Sequence, residues 1–145
     1  MLNENDLKQS EIFKLLDSLN LSSDEYLIMG SGIMFALGIR PLKELNDLDL
    51  FVTDSAFAKV KDLGEAFYDE VSDSYHINLF DNKIEIMDSW IPKDCLFTDL
   101  YKNALHIGKY SFEGLDDVLK WKMTMGREKD IKHIEMINDY LRTNQ

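Results

Sequence analysis

Two acidic residues, Asp47 and Asp49, are separated by one leucine and followed by another apolar residue. In a β-strand this alternation places both carboxylates on the same face of the sheet. Two carboxylates about 4 Å apart repel each other by roughly 4 kcal/mol at an effective dielectric constant of about 20. Water, a proton shared with one acid or a bound cation must offset that repulsion. The pair is therefore a candidate metal site.

A third acid, Glu85, stands between Ile84 and Ile86 in a later apolar segment. A carboxylate carried into a sheet by two β-branched neighbours needs a partner, and three carboxylates meet if its strand lies beside that of Asp47 and Asp49. Such an all-oxygen set suits Mg²⁺ or Mn²⁺, with positions left for phosphate oxygens. The alternative is an exposed strand on which Asp47 caps a turn.

The residues Gly30, Ser31 and Gly32 end one apolar run and begin a second one. A strand that leads through such a turn into a helix presents free backbone N–H groups to a phosphate. Ser31 can cap the helix or donate its hydroxyl to a phosphate oxygen. A plain connection between a strand and a helix has the same sequence. Taken together, the turn and the carboxylates predict a nucleoside-triphosphate site, with amides for the phosphates and acids for their metal ions.

Two charged residues near the C-terminus fall on the apolar faces of predicted helices. At about 100° per residue, Lys122 lies within the apolar stripe of one helix and Asp130 within that of the next. Such charges are costly unless they are paired or bind a ligand. We interpret Lys122 or Arg127 as a partner of triphosphate oxygens, oriented by Asp130. The alternatives are a snorkelling ammonium and a first-turn acid. Arg40 is expected to point toward the same site.

The other reactive residues give weaker indications. His76, His106 and His133 lack the spacing and the paired cysteines of a zinc site. Cys95 has no neighbouring base, and we interpret it as structural. Trp90 is expected at the edge of the core, where it could border a pocket for a base.

Apolar periodicity predicts the elements that position these residues. A helix opens the chain, strands and short helices alternate through its middle, and the chain becomes helical again beyond Pro92. This order implies an α/β or α+β fold, with a mixed sheet, flanking helices and C-terminal helices. A hairpin turn is predicted at residues 81–82. Predicted helices cover residues 4–19, 33–37, 55–63, 115–127 and 129–142, and predicted strands residues 26–29, 47–52, 67–71, 75–80 and 83–87.

Composition and charge narrow the class of protein. The chain has 145 residues and a formal net charge of −11, from 16 Lys and Arg against 27 Asp and Glu. This acidity disfavours non-specific binding to DNA, RNA or anionic lipid. A single cysteine excludes an internal disulfide and fits a reducing compartment. Since no apolar run is long enough to span a membrane and the N-terminus lacks a signal-peptide pattern, we expect a cytoplasmic protein.

The glycine turn and the acidic strand together resemble a known signature. Residues 29–31 followed by residues 47–50 are similar to the motif of the polymerase-β-type nucleotidyltransferases: an apolar residue, Gly, Gly or Ser, a spacer, and then Asp-apolar-Asp or Glu-apolar. Glu85 resembles the third carboxylate, which these proteins carry on a later strand. The resemblance implies a polymerase-β-like nucleotidyltransferase fold.

The resemblance extends over most of residues 26–142 and is strongest to the minimal, stand-alone members of the family, including those of toxin–antitoxin and antibiotic-modifying type. Residues 119–131 resemble their closing helical segment. The spacer between Ser31 and Asp47 is slightly longer than usual, so the loop around Pro41 is expected to be enlarged.

The scarcity of glycine and proline leaves little material for a flexible linker. We therefore expect one nucleotidyltransferase-like domain over residues 1–145. Within it we expect an N-terminal helix in residues 1–22, a catalytic core in residues 26–92 and a helical part in residues 97–143.

What the resemblance implies is a metal-dependent transferase that moves a nucleoside monophosphate from an NTP to an acceptor. The resemblance implies functional roles for two groups of residues, with Arg40 and Asp130 as accessory positions. The implied ligands of Mg²⁺ or Mn²⁺, which are also the catalytic residues, are Asp47, Asp49 and Glu85. The implied nucleotide-binding residues are Gly30, Ser31, Lys122 and Arg127.

The acceptor is left open between RNA, protein and a small molecule such as an antibiotic, as is a connection to toxin–antitoxin systems. The alternative from another class is a catalytically inactive protein of the same fold that binds a partner or serves as an antitoxin. A homodimer and a complex with a partner protein both remain compatible with the sequence.

Overall fold

One seven-stranded mixed sheet organises the residues that the computed structural model describes, which are 1–90 and 95–144. In chain order the strands are β1 Tyr26–Met29, β2 Leu48–Val52, β3 Glu65–Asp69, β4 Ser74–Leu79, β5 Ile84–Met87, β6 Leu105–Ile107 and β7 Tyr110–Phe112. Their order across the sheet is β3-β4-β5-β2-β1-β7-β6. β1 runs antiparallel to β2, whereas β2 is parallel to β5 and β1 is parallel to β7. The predicted mixed sheet is confirmed.

Helices flank this sheet and close the chain. They are α1 Glu4–Lys8, α2 Glu11–Asp17, α3 Gly32–Ala36, α4 Asp54–Val60, α5 Phe97–Tyr101, α6 Leu115–Met125 and α7 Glu128–Thr143, with a short 3₁₀ helix at Leu42–Glu44. Each of the two long C-terminal helices lies within two residues of its predicted bounds. Among the described residues, none of these helices has the length and apolar character needed to cross a bilayer.

Two predicted elements need correction. The single opening helix over residues 4–19 is two helices, because the chain leaves the helical path around Ser10, the residue that precedes α2. The chain beyond Pro92 is not wholly helical: β6 and β7 form an antiparallel hairpin there, turning at Gly108 with a positive φ of 57°. Strands of three residues are too short for periodicity to reveal. Pro92 itself lies outside the described residues.

The two faces of the sheet bury different sets of side chains. One face carries the larger core, with residues such as Ile28, Leu50 and Ile86 packed against the helices. The other buries a smaller cluster: Leu27, Met29, Phe51, Met87, Trp90 and Leu100. Because side chains alternate along a strand, Asp49 shares the face of Phe51, and Glu85 shares that of Met87. Both acids therefore lie on the face of the smaller cluster.

Candidate active site

Asp49 and Glu85 are nearest neighbours across two parallel strands. The register of β2 and β5 pairs Asp49 with Glu85, and that of β1 and β2 pairs Asp49 with Met29 at the end of β1. Burial of Asp49, followed by the negative charges of Glu85 and Asp47, raises the pKa of the Asp49 carboxyl to about 7. The fold thus holds acidic groups close enough to destabilise one another's ionised forms.

Asp47 precedes β2 and is exposed, at the mouth of a cavity of about 390 Å³. This cavity lies where β1 ends and β2 begins, because the two strands run antiparallel. Acids line it together with basic and aromatic side chains, several of which come from α6 and α7. The lining includes Asp47, Asp49, Gly30, Ser31, Arg40, Trp90, Trp121, Lys122, Arg127, Lys129 and His133.

The carboxylate of Glu85 is turned toward β4 rather than into this cavity. Its Oε2 lies 3.4 Å from Nδ1 of His76, whose Nε2 lies 2.9 Å from Oγ of Ser72 and 3.0 Å from Oγ of Ser74. Among the described residues, no group of three or more His, Cys, Asp and Glu side chains is arranged to hold a metal ion. The sheet therefore brings the three acids into one neighbourhood without directing all three carboxylates at one point.

The glycine turn after β1 is held by a buried acid. Gly30 has a positive φ of 63°, and its N–H donates to Oε1 of Glu113 at 3.0 Å. Glu113 is 1% exposed, and this burial raises the pKa of its carboxyl to about 7, against the lowering effect of the Gly30 hydrogen bond. The Gly30 N–H, expected to be available to a phosphate, is therefore already used inside the protein.

The helix that follows the turn is short. α3 has five residues, so its macrodipole adds little to anion binding. The turn offers the hydroxyl of Ser31 instead, which lies beside the ammonium group of Lys122.

Lys122 is a buried cation whose three N–H groups all have acceptors. Its side chain is 1% exposed, and Nζ lies 2.9 Å from Oγ of Ser31, 2.9 Å from Nδ1 of His133 and 3.5 Å from Oδ1 of Asp130. Burial lowers the pKa of the ammonium group, and Asp130 partly restores it. Burial together with the charges of Lys122 and Arg40 lowers the pKa of His133 to about 4. His133 is therefore neutral at neutral pH, and its Nδ1 accepts a hydrogen bond from the ammonium group of Lys122.

Asp130 joins Lys122 to a second cation. Arg127 donates from Nε to Oδ2 of Asp130 at 2.6 Å and from Nη2 to Oδ1 at 3.1 Å, and its backbone N–H also donates to Oδ2. Burial alone raises the pKa of the fully buried Asp130, but these hydrogen bonds from Arg127 outweigh it, and the net shift is downward. Asp130 is thus an ionised carboxylate between two cations, both of which line the cavity.

Two tryptophans cover the turn. The rings of Trp90 and Trp121 lie 5.3 Å apart, and the guanidinium of Arg127 lies 5.0 Å from the centre of the Trp121 ring. Neither indole N–H finds a hydrogen-bond partner within the described residues. The cavity therefore has an aromatic wall beside its basic groups.

Arg40 also reaches the cavity. It follows α3, its guanidinium lies 4.5 Å above the ring of Phe35, and Nη1 lies 3.5 Å from Nε2 of His133. With Lys122, Arg127 and Lys129, Arg40 brings the number of Lys and Arg residues that line the cavity to four, in a chain whose formal net charge is −11.

Comparison with known proteins identifies the fold. The sequence matches no protein-family model and no curated protein. The structure is similar to the crystal structure of a "putative nucleotidyltransferase" from Thermotoga maritima, with 14% sequence identity and a TM-score of 0.56, over 94% of this chain and 96% of that one. The fold is nucleotidyltransferase-like. At this level of identity the similarity concerns architecture alone.

From the sequence alone, three residues were not assigned to this candidate site: Glu113, His133 and Trp121. Glu113 directly follows the apolar strand β7. Its position as an acid at the end of an apolar run is the one feature of the sequence that indicates a buried carboxyl. His133 lies one turn beyond Asp130 on α7, but nothing in the sequence indicates its contact with Ser31 at 3.4 Å. Such contacts depend on how α6 and α7 dock onto the turn.

Proposed function

We propose that this chain is a metal-dependent nucleotidyltransferase that transfers a nucleoside monophosphate from an NTP to an acceptor. One observation carries the proposal: Asp49, paired in register with Glu85, faces the same cavity as Lys122 and Ser31. Acidic groups suited to a divalent ion and basic groups suited to phosphates thus line the same cleft of about 390 Å³. This combination is the minimum that a metal–triphosphate complex requires.

The donor set suits a hard divalent cation. Asp47 and Asp49 supply carboxylate oxygens. Burial, followed by the negative charges of Glu85 and Asp47, raises the pKa of Asp49, and a bound cation would oppose that rise. In the proposed site Asp47 and Asp49 would hold Mg²⁺ or Mn²⁺, and Glu85 would join them if its side chain rotated away from His76. When bound, such an ion neutralises phosphate charge and activates an acceptor oxygen.

The basic side chains would bind the triphosphate. A phosphate oxygen that enters beside Ser31 takes its hydroxyl and one N–H of Lys122, in place of an acceptor that the ammonium uses in the free protein. Arg127, which is 39% exposed, remains able to meet a second oxygen while Asp130 fixes its position. Both cations stabilise the charge that develops on the leaving pyrophosphate.

The reaction is an in-line displacement at the α-phosphorus. A hydroxyl oxygen of the acceptor forms the new bond, the bond to the bridging oxygen between the α- and β-phosphates breaks, and pyrophosphate leaves with that electron pair. Glu85 receives the hydroxyl proton on its carboxylate. The acceptor is open between RNA, protein and a small molecule.

A second candidate is a binding protein that keeps the fold without catalysis. The observation in its favour is the 3.4 Å contact between Glu85 and His76, which directs the third carboxylate away from the cavity. Such a protein would not need Mg²⁺ to bind its partner.

Calorimetry with the four NTPs, each with and without Mg²⁺, tests the proposal together with radiolabelled-NTP transfer to RNA, protein and aminoglycoside pools. We expect Mg²⁺-dependent binding and transfer, both abolished in Asp49→Asn without loss of fold. Asp81→Asn serves as the matched control, because Asp81 is exposed in a turn with a positive φ that asparagine tolerates. Metal-independent binding without transfer would favour the second candidate, and undiminished transfer by Asp49→Asn would refute the assignment of Asp49.

A further inference from the structure

The exposed apolar side chains of the described residues are concentrated in one place. Of the ten large apolar residues that are exposed, six lie within residues 63–80, which we call the edge hairpin. They are Leu63, Phe67, Tyr68, Val71, Tyr75 and Phe80, with exposed fractions between 37% and 77%. Soluble proteins seldom expose apolar groups so densely unless the surface binds something.

The edge hairpin is also an open edge of the sheet. β3 is the terminal strand and pairs with β4 alone, so its second edge has no partner strand among the described residues. Residues 65–68 of β3 are all exposed. Natural edge strands are usually protected by lysine, proline or a bulge, whereas β3 contains neither lysine nor proline. Its backbone N–H and C=O groups are therefore available to an added strand.

The negative charge of the edge hairpin indicates which kind of added strand could pair with β3. Residues 63–80 include four acids and neither Lys nor Arg; the acids are Glu65, Asp69, Glu70 and Asp73. Asp69 accepts hydrogen bonds from the hydroxyl and the backbone N–H of Ser72, which lower the pKa of its carboxyl. A second copy of this chain, paired edge to edge, would bring four acids against four acids. Like charges across a strand pair are destabilising.

We propose that β3 binds an extended segment of another protein as an eighth strand of the sheet, and that this segment is rich in Lys or Arg with apolar residues between them. Backbone hydrogen bonds along β3 supply the affinity of such a complex. Phe67 and Tyr68 point to opposite faces, where each lies in a ring pair: Phe67 is 5.4 Å from His76, and Tyr68 is 5.6 Å from Tyr75. Apolar side chains of the partner pack on these rings, and its cations meet Glu65 and Asp69.

Three labelled peptides test the proposal by fluorescence anisotropy with the full chain. The first alternates lysine with valine around a central tyrosine. The second replaces every lysine with glutamate. The third keeps the lysines but is N-methylated at two adjacent central residues, which removes donors from both of its edges. We expect saturable binding of the first peptide and at least tenfold weaker binding of the other two. Raising the salt concentration from about 50 to about 300 mM weakens the first, as screening of exposed charges requires.

A pair of variants locates the binding surface. Phe67→Lys places a cation at the centre of β3 and is expected to reduce the affinity of the lysine peptide at least tenfold. Met123→Lys, on the exposed side of α6, introduces the same charge elsewhere and is expected to leave the affinity unchanged. Hydrogen exchange completes the test, because the bound lysine peptide should slow exchange at amides of residues 65–69.

Several outcomes would overturn the proposal. It is wrong if none of the peptides binds, or if the glutamate or N-methylated peptide binds as tightly as the first. It is equally wrong if both variants lose affinity alike. A chain that sediments as a dimer, and as a monomer after Phe67→Lys, would assign the edge hairpin to a second copy instead.

Discussion

The ammonium of Lys122 lies 2.9 Å from the hydroxyl of Ser31, and this contact joins α6 to the turn between β1 and α3. The same ammonium lies 3.5 Å from the buried carboxylate of Asp130 at the start of α7. One side chain therefore links three segments that are distant in sequence. Because the contact is made at the wall of the cavity, the group that holds the helices against the turn also lines the cleft that we propose binds a triphosphate.

Lys122→Met is expected to weaken NTP binding by about 10- to 100-fold, since a charged hydrogen bond to a phosphate contributes about 1.5–3 kcal/mol. Methionine has a similar length and packs in the same space. Calorimetric titration with Mg·ATP measures the loss. Lys120→Met is the matched control, because Lys120 is exposed on the same helix and is expected to bind Mg·ATP like the unmodified chain.

The double variant Lys122→Met with Asp130→Asn separates binding from folding. Lys122→Met alone leaves the buried carboxylate of Asp130 with Arg127 as its cation, so thermal stability should fall. Adding Asp130→Asn removes that buried negative charge and should restore the stability. We expect the double variant to regain thermal stability without regaining NTP binding. Recovery of both would mean that Lys122 acts on NTP binding through the fold alone.

Glu113→Gln is expected to stabilise the protein at alkaline pH and to have little effect at pH 5. The folded-state pKa of Glu113, about 7, lies above its unfolded value, so the folded protein favours the protonated carboxyl. This stabilising contribution is fully present below the unfolded pKa, and it is lost as the pH rises toward and through 7. Glutamine still accepts the Gly30 N–H and carries no charge. At about 1.4 kcal/mol per pKa unit, the rise from 4.5 to about 7 predicts a difference of about 3 kcal/mol in the free energy of unfolding above pH 8.

Urea unfolding of both proteins between pH 5 and pH 9 measures this difference. Because other groups titrate in the same range, the relevant quantity is the variant minus the unmodified chain at each pH. A difference that does not change with pH would contradict the assignment of a buried, ionising carboxyl at residue 113.

The long C-terminal helices could be predicted from sequence because their periodicity extends over many residues. The wheel positions of Lys122 and Asp130 in the apolar stripes of α6 and α7 agree with their burial, at 1% and 0% exposure. The hairpin of β6 and β7 could not be predicted in the same way. Each strand has three residues, and the pairing of β7 with β1 is decided by contacts distant in sequence.

The same distinction between local and long-range patterns applies to the candidate site. Asp47, Asp49, Gly30 and Ser31 are visible in sequence because the turn and the alternating strand are local patterns. The pairing of Asp49 with Glu85 depends on the register of two strands that are neighbours in the sheet but not in the chain. The rotation of Glu85 toward His76 depends on β4 as well. The residue types of the site can thus be predicted from the sequence, whereas the direction of each side chain is set by tertiary packing.

Gly32→Ala is expected to destabilise the protein by about 1–3 kcal/mol, because overpacking a buried site forces its neighbours to move. A Cβ at this position would lie 2.4 Å from the Cγ2 of Ile28 in β1, and Gly32 itself is buried. Gly38→Ala is the control: its φ of 77° is unfavourable for alanine, but a Cβ there meets nothing within 4 Å. The control should cost about 1 kcal/mol from backbone strain alone.

Thermal denaturation of both glycine variants checks this order. The reverse order, with Gly38→Ala the more damaging, would show that the turn between β1 and α3 has room to adjust.

Tryptophan fluorescence should report directly on occupancy of the cavity, because the chain has 2 tryptophans and both line it. Their rings are 5.3 Å apart, and the guanidinium of Arg127 lies 5.0 Å from the centre of the Trp121 ring. Mg·ATP that draws Arg127 toward a phosphate removes a cation from that ring, so the emission should change in intensity and wavelength as binding saturates. Asp49→Asn should abolish the change, whereas Asp81→Asn should retain it. An emission that stays constant while calorimetry detects binding would place the nucleotide away from Trp90 and Trp121, and so outside this cavity.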